Sequence, residues 1–361
     1  MIIKSLKLKD YRNYDLLNIE FDKSTNIFYG DNAQGKTNIL EAAYLSGTTK
    51  SHRGTKDRDL IRFGCEESHI ETVIERSGVP FQIDMHLKKS SPKGIAINKV
   101  PIRRASELFG LMNFVFFSPE DLNIIKNGPS ERRRFMDLEL SQLDKIYLKD
   151  LANYNRIINQ RNKLLKDAWQ SNNLLDTLEV WDMQLVIYGN KIIERRKKFI
   201  AQVNEIISGI HYKLTGGKER ISLYYEPGTG TLPLEQALKK NRDRDIRMKS
   251  TSSGPHRDDI CFLADNIDIR KFGSQGQQRT AALSLKLSEI ELVKLLIKDT
   301  PVLLLDDVLS ELDKNRQNYL LDSIHNIQTL ITCTGLDEFV NHRFSINKVF
   351  HVQNGHAAKE N

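Results

Sequence analysis

The sequence predicts an α/β fold, a mixed sheet flanked by helices, interrupted by an inserted helical lobe that forms a short antiparallel arm. Three observations carry this. A glycine-rich loop ending in Lys36-Thr37 sits between a strand pattern and a helix pattern; a fully apolar strand ending in two aspartates lies far downstream, at Val302 to Asp307; and a heptad-like helical stretch separates them. In a compact nucleotide-binding domain the acidic strand follows the loop closely, so the spacing implies an insertion. The expected division is 1–125 for the N-terminal half, 126–250 for the inserted lobe and 251–361 for the C-terminal half.

The elements follow in order. Ile3, Leu6 and Leu8 precede a turn at Asp10 to Tyr14, and Leu17, Ile19 and Phe21 then alternate with polar residues at period two. A third strand, Asn26 to Tyr29, ends at Gly30. A helix from about Lys36 carries Ile39, Leu40, Ala43 and Tyr44 on one face. Strands around Ile70–Ile74 and Phe81–Leu87 extend the opening sheet, and Pro119 closes the apolar strand Phe114 to Phe117.

From Glu131 the period changes. Leu143, Tyr147, Leu151, Tyr154, Ile158, Leu165 and Ala168 recur at threes and fours, with one doubled step at Arg161; Leu178, Trp181, Leu185, Tyr188, Ile192, Phe199, Val203, Ile206 and Ile210 follow the polar break Gln170-Ser171-Asn172-Asn173. Only about four heptads fit each helix, so this is an arm and not an extended coiled coil. Lys213 to Arg247, rich in Gly, Pro and charge, reads as a hinge. Then come a strand at Ile260 to Leu263, a glycine turn at Phe272 to Gly276, a helix from about Gln277 to Ile297 and a last strand, Thr329 to Cys333, before a short tail.

Composition narrows the function. With 39% hydrophobic and 28% charged residues, the chain has a sizeable core and is not disordered. No stretch approaches a membrane span, and the start lacks a secretory block, so the expected location is cytoplasmic. Lys and Arg exceed Asp and Glu, 54 to 47, a net charge of +7 too small for bulk grip on a polyanion, so phosphate binding must be concentrated in a few places. Cys65, Cys261 and Cys333 show no metal or redox spacing and read as small buried hydrophobes.

Gly30-Asp31-Asn32-Ala33-Gln34-Gly35-Lys36-Thr37 fits G-x-x-x-x-G-K-[ST] in its required context. The loop's N–H groups and the helix end suit phosphate, Lys36 reaches the β/γ-phosphates and the Thr37 hydroxyl binds Mg²⁺. Asp306 is placed to hold that metal and Asp307 to orient an attacking water; the alternative is a helix-capping Asp after a core strand. Ser274-Gln275-Gly276, at a helix start, suits the γ-phosphate of a partner's ATP, although such a turn by itself is only a cap. Any one of the basic runs, Lys50, His52, Arg53, Lys56 and Arg58, Arg103-Arg104, Arg132-Arg133-Arg134, Arg195 to Lys198 and Lys239 to Arg244, is more commonly a solvated face than a DNA site; among them Lys50, His52, Arg53, Lys56 and Arg58 are the favoured candidates for duplex-DNA contacts. His256 with Asp258 and Asp259 reads as structural hydrogen bonding rather than a metal site.

These motifs together, with Asp10-Tyr11-Arg12-Asn13-Tyr14, Ser118 to Leu122, Gly128-Pro129 followed by Arg132 to Asp137, Ser253 to Asp259, Ser274 to Arg279 and Leu303 to Asp313, resemble the RecF recombination-mediator family over nearly the whole chain. That family is an ABC-type phosphate-loop ATPase akin to the SMC heads. The resemblance implies an ATP-dependent homodimer with ATP sandwiched between one subunit's phosphate loop and the other's Ser274 turn. It also implies Arg12 and Asn13 near the nucleotide, Ser310 to Asp313 at the interface, and weak, DNA-dependent ATP hydrolysis as a reset. Work with RecR and RecO to load RecA at single-strand gaps, and roles in replication and the SOS response, follow from the same resemblance. Asp307 stands where many relatives of the wider class have Glu, Thr332-Cys333-Thr334 where many have a switch His, and Pro119-Glu120 near the place of a metal-sensing Gln. A transporter's nucleotide-binding subunit, with a Ser-Gly-Gly turn and no arm, is the alternative.

Overall fold

A computed structural model describes residues 1–167, 177–336 and 347–360. Two compact units divide the chain: Met1–Asp121 with Lys286–Asn361, and Leu122–Leu285.

The first unit holds two six-stranded sheets. One is antiparallel, in the order β2-β1-β4-β5-β6-β7: β1 (Ile2–Tyr11), β2 (Tyr14–Glu20), β4 (Glu67–Arg76), β5 (Val79–Lys88), β6 (Gly94–Ile97) and β7 (Val100–Pro101). Its strands alternate because only one face is buried. The other is β15-β14-β3-β13-β12-β8, with β3 (Thr25–Tyr29), β8 (Phe114–Phe117), β12 (Val302–Asp306), β13 (Thr329–Cys333), β14 (Lys348–Gln353) and β15 (His356–Glu360). All its pairings are parallel except that of the edge strand β15. Strands β8, β12 and β13 are buried at every residue, which is why they read as unbroken apolar runs. Helix α1 (Lys36–Thr48) is buried on nearly all sides, wider than the single face its spacing suggests.

Three expectations change here. The third strand does not join the opening sheet: β3 is buried on both faces and pairs with β13 and β14. Cys333 does not end the sheet, because β14 adds a further parallel strand beside β3. Only Cys333 is buried; Cys65 and Cys261 are half-buried, and all three are free thiols.

The second unit contains α2 (Leu122–Lys126), α3 (Pro129–Leu143), α4 (Lys145–Asp167), α5 (Leu178–Leu214), β9 (Ile221–Glu226), α6 (Leu234–Lys240), α7 (Arg242–Met248), β10 (Asp259–Ala264), β11 (Ile267–Asp268) and α8 (Ile269–Phe272). It also holds the start of α9 (Gln275–Ile297), the helix that leads back into the first unit. Contacts of Arg161 with Asp182, Arg195 with Asp150 and Arg196 with Tyr147 run in opposite chain directions, so α4 and α5 are antiparallel. Tyr147, Tyr154, Ile158 and Leu165 are buried as the heptads require. Ala168 and the break at Gln170 to Asn173 lie outside the described residues.

The doubled step at Arg161 is an interior position. Its guanidinium is fully buried and pairs with Asp182 at 2.6 Å and Asp245 at 2.8 Å. In α5 the stripe after Ile192 runs through Arg196, Phe199, Ile200, Val203, Ile207 and His211, while Ile206 and Ile210 are half-buried. Arg196 joins Asp137 and Asp258, both at 2.7 Å. The sequence hides this because an interior ion pair and a solvated one use the same residues.

Lys213 to Arg247 is not a hinge: it holds β9, α6 and α7, and β9 pairs with β10 in the sheet β11-β10-β9. Residues 251–285 consequently pack with the middle of the chain and not with its C-terminal part, because Asp258 is buried against Arg196, Tyr225 and the Gly228 N–H. His256 accepts from the Tyr154 hydroxyl on Nδ1 (2.8 Å) and donates from Nε2 to the Thr251 carbonyl (2.9 Å), the structural role expected of it. Burial lowers its pKa to about 4, so the ring is neutral.

The unfolded chain therefore binds a proton near pH 6.5 that the folded chain refuses until about pH 4. Stability contributed by His256 is complete above pH 6.5 and falls as the pH drops, by up to about 3 kcal/mol. Urea unfolding of wild type and His256→Gln across this range should show a shallower acid loss in the variant; parallel curves would contradict the neutral assignment.

Candidate functional site

The parallel register places Tyr29, Asp306 and Cys333 at the same carboxyl edge of the second sheet, where loops of α/β folds bind ligands. From Tyr29 the chain turns through Gly30 (φ +147°) and Gly35 (φ +111°) into α1. A side chain at Gly30 would meet the Val352 carbonyl at 2.3 Å, and one at Gly35 would meet the Tyr14 hydroxyl at 2.8 Å, so only glycine fits either place. The α1 N-terminus has no side-chain cap, which leaves it suited to an anion. Lys36, only 7% exposed, donates to the Gly30 and Asp31 carbonyls across the loop, and burial lowers its pKa against the opposing pull of Asp307.

Thr37 Oγ1 donates to Asp306 Oδ1 at 2.7 Å, joining residues 269 positions apart. Thr332 Oγ1 donates to the same oxygen at 2.8 Å and accepts the Asp307 N–H at 3.0 Å. Burial raises the Asp306 pKa, and the two hydroxyls counter it. Asp307 adopts φ +53°, and Ser310 Oγ donates to its carbonyl at 2.8 Å.

Arg12 and Asn13 form the two-residue turn between β1 and β2. Asn13 Nδ2 donates to the Gln34 carbonyl at 2.9 Å, and its Oδ1 accepts from Asn38. Arg12 is bound by Glu41 of α1 through Nε and Nη2, both at 2.9 Å, and donates to the Asp59 carbonyl and Thr55. Glu41, fully buried, also accepts from Ser51; burial would raise its pKa, but Arg12 and Ser51 outweigh it and hold the carboxyl below its ordinary value.

Arg12, Asn13, Gly30 to Thr37, Asp306 and Asp307 thus converge. Ser274, Gln275 and Gly276 belong to the second unit and are exposed there. Ser274 Oγ accepts the Gln277 N–H while Gln277 Oε1 accepts the Ser274 N–H, a reciprocal cap at the start of α9. Lys50, Arg53, Lys56 and Arg58 are exposed, with Asp57 and Asp59 among them, whereas His52 stacks on Phe116. Arg53 also lowers the Asp306 pKa, so it lies toward the site. Arg132 is consumed by Asp259 and three carbonyls, and Arg195 by Asp144 and Asp150.

Sequence reasoning missed Glu41 and the β14–β15 turn, whose Asn354 N–H donates to Gln34 Oε1 at 2.7 Å and whose Gly355 lies against the Asn13 carbonyl, and it singled out Thr332 only by its place after the last strand, not as a donor to Asp306. A carboxylate between Leu40 and Ala42 was the available signal for Glu41. Pro119 and Glu120 begin a single helical turn, in which Asp121 accepts the Ser118 N–H and burial raises its carboxyl to about 6.

Comparison with known proteins gives one answer. The family described as RecF/RecN/SMC N terminal domain matches residues 2–358. A DNA replication and repair protein RecF of Lachnospira eligens is 62% identical over 100% of both chains, and one of Agathobacter rectalis 63% over 98% of each. The solved structure of a recombination mediator protein RecF with ATP superposes with a TM-score of 0.93 at 34% identity, covering 99% of this chain and 97% of that one. An SMC head bound to the winged-helix domain of ScpA, at 16% identity and a TM-score of 0.59, shares the fold, covering 100% of this chain and 97% of that one.

Glu41→Gln leaves the largely buried Arg12 guanidinium without its counter-charge. The expected cost is about 2–3 kcal/mol, below the range for fully buried pairs because Arg12 keeps some solvent contact. A chemical melt unchanged within about 0.5 kcal/mol would show that the pair organises nothing.

Proposed function

The chain belongs to the RecF family of SMC-like ATPases, and from that premise we propose that it is a DNA-binding clamp closed by ATP. It acts in DNA replication and repair. The observation that carries the reading is the hydrogen bond from Thr37 to Asp306, which joins the phosphate loop to the acidic strand end. Neither element alone makes a hydrolytic site.

In this reading the loop N–H groups from Asp31 to Thr37 and the α1 N-terminus hold the β/γ-phosphates. Lys36, already desolvated, supplies positive charge there, and Asn13 braces the loop through the Gln34 carbonyl. The Thr37 hydroxyl and the Asp306 carboxylate are hard oxygen donors, a set that fits Mg²⁺; when bound, the ion neutralises phosphate charge. Asp307 orients the attacking water. Its side chain is one methylene shorter than the Glu of many cassettes, so it holds the water less well and turnover is slow. Ser274, Gln275 and Gly276 cap the partner's γ-phosphate, and Ser310 to Asp313 cross the same interface. ATP binding therefore makes the dimer, and hydrolysis releases it.

Lys50, Arg53, Lys56 and Arg58 are the proposed contacts to duplex phosphates beside single-strand gaps. None is spent on a buried ion pair among the described residues. RecR, with RecO, is the proposed partner in loading RecA, in the cytoplasm. Among the described residues no helix is long and apolar enough to cross a membrane. The transporter reading is not favoured, since the relatives are DNA replication and repair proteins.

Lys36→Ala should weaken binding of a fluorescent ATP analogue about 10- to 100-fold, the worth of a desolvated charged contact. Ser274→Arg should leave that binding intact but remove the dependence of ATP turnover on protein concentration. Undiminished binding by the Lys36 variant would overturn the phosphate-loop assignment, and lost binding by the Ser274 variant would place the turn in the subunit's own site.

A further inference from the structure

On the antiparallel sheet of the first unit, far in sequence from the phosphate loop, two histidines and a glutamate are brought together by strand register. His69 on β4 lies directly opposite His86 on β5, and Glu67 precedes His69 by two residues, so all three project from one face. The burial pattern of β4 fixes which face. Ser68, Ile70 and Thr72 point into the core, while Glu67 and His69 are exposed. The imidazoles stack with centroids 3.9 Å apart, and His86 Nε2 lies 2.9 Å from Glu67 Oε2.

We propose that Glu67, His69 and His86 form a binding site for a divalent first-row transition-metal ion, with Zn²⁺ as the foremost candidate. Their ligating atoms lie within 4.8 Å of one another. Tetrahedral Zn²⁺ with bonds near 2.0–2.1 Å sets its ligand atoms about 3.3 Å apart, so the widest separation must close by up to about 1.5 Å and the His86–Glu67 pair must open slightly, a rotamer adjustment for side chains on an exposed face. Two imidazoles and one carboxylate are a borderline donor set, suited to Zn²⁺, Co²⁺, Ni²⁺ or Cu²⁺ and not to Mg²⁺ or Ca²⁺. Three protein donors leave a coordination position open to water or to a further ligand.

One feature of the surroundings favours occupancy and one opposes it. Gly94, opposite His86 on β6, leaves the ring's flank open, since a Cβ there would only touch His86 Cβ at 3.9 Å. Against this, Lys88 Nζ stands 3.9 Å from Glu67, and Lys9 on β1 lies opposite His69. These cations lower the affinity for a divalent ion. A bound ion would tie β4 to β5 at mid-strand, independently of the nucleotide chemistry.

The test uses the full chain without nucleotide, titrated with Zn²⁺ against a colorimetric chelator at neutral pH. One equivalent should bind, His69→Ala and His86→Ala should each weaken it about tenfold or more, and Lys88→Ala should strengthen it. Zn²⁺ should raise the melting temperature of the wild type and not that of the double His variant. These are surface positions, so the variants fold, and the melts verify it. Zn²⁺ affinity unchanged by both His substitutions, or no binding by the wild type at micromolar Zn²⁺, overturns the proposal.

Discussion

Asp306 is the residue on which the rest of the site depends. Its carboxylate is buried at the end of a wholly apolar strand, where a lone charge is costly, and it is tolerated because the Thr37 and Thr332 hydroxyls both donate to one of its oxygens. Those two hydroxyls come from α1 and β13, so the acid holds its position only if β3, β13 and β12 keep their mutual register. A slip by one residue in β12 would send Asp306 to the other face. The fold and the site are thus one constraint, in which sheet pairing sets the carboxylate and the carboxylate ties the loop-bearing helix to the sheet.

Around this hub the remaining pieces brace the loop from outside. Asn13 and Tyr14 reach the carbonyls of Gln34 and Gly35, and Asn354 reaches the Gln34 side chain. Arg12 is locked to Glu41 and to the segment carrying Lys56 and Arg58. The turn between β1 and β2 therefore touches both the phosphate loop and the basic segment. On the proposed function these are the nucleotide end and the DNA end of one unit.

Much of this was legible in the sequence, and the reason is locality. A phosphate loop needs its glycines, lysine and threonine within eight neighbouring positions, and a doubly covered strand needs an unbroken apolar run, so both appear in short windows. What escaped depends on long-range pairing. Arg161 and Arg196 look like surface charges until Asp245 and Asp258, from distant segments, are seen to bury them. Strand β9 looked like part of a hinge because its partner β10 lies beyond two helices, and β14 and β15 followed what looked like a final strand. The boundary expected at 250 moved to 285 for the same reason. The charge of the chain reads differently as well, since Arg12, Arg132, Arg161, Arg195, Arg196 and Arg270 are held in internal ion pairs. The exposed positive charge is concentrated in fewer places than the net +7 suggests, and on the proposed reading an ATP-made dimer doubles it.

The claim that the nucleotide site is a device for joining two chains is tested most directly by sedimentation velocity of the purified protein, with and without ATP, in the presence and absence of gapped duplex. The account predicts a monomer without ATP, a dimer with it, and a dimer bound to DNA only when ATP is present. A monomer that binds ATP and remains a monomer, with or without DNA, would contradict it.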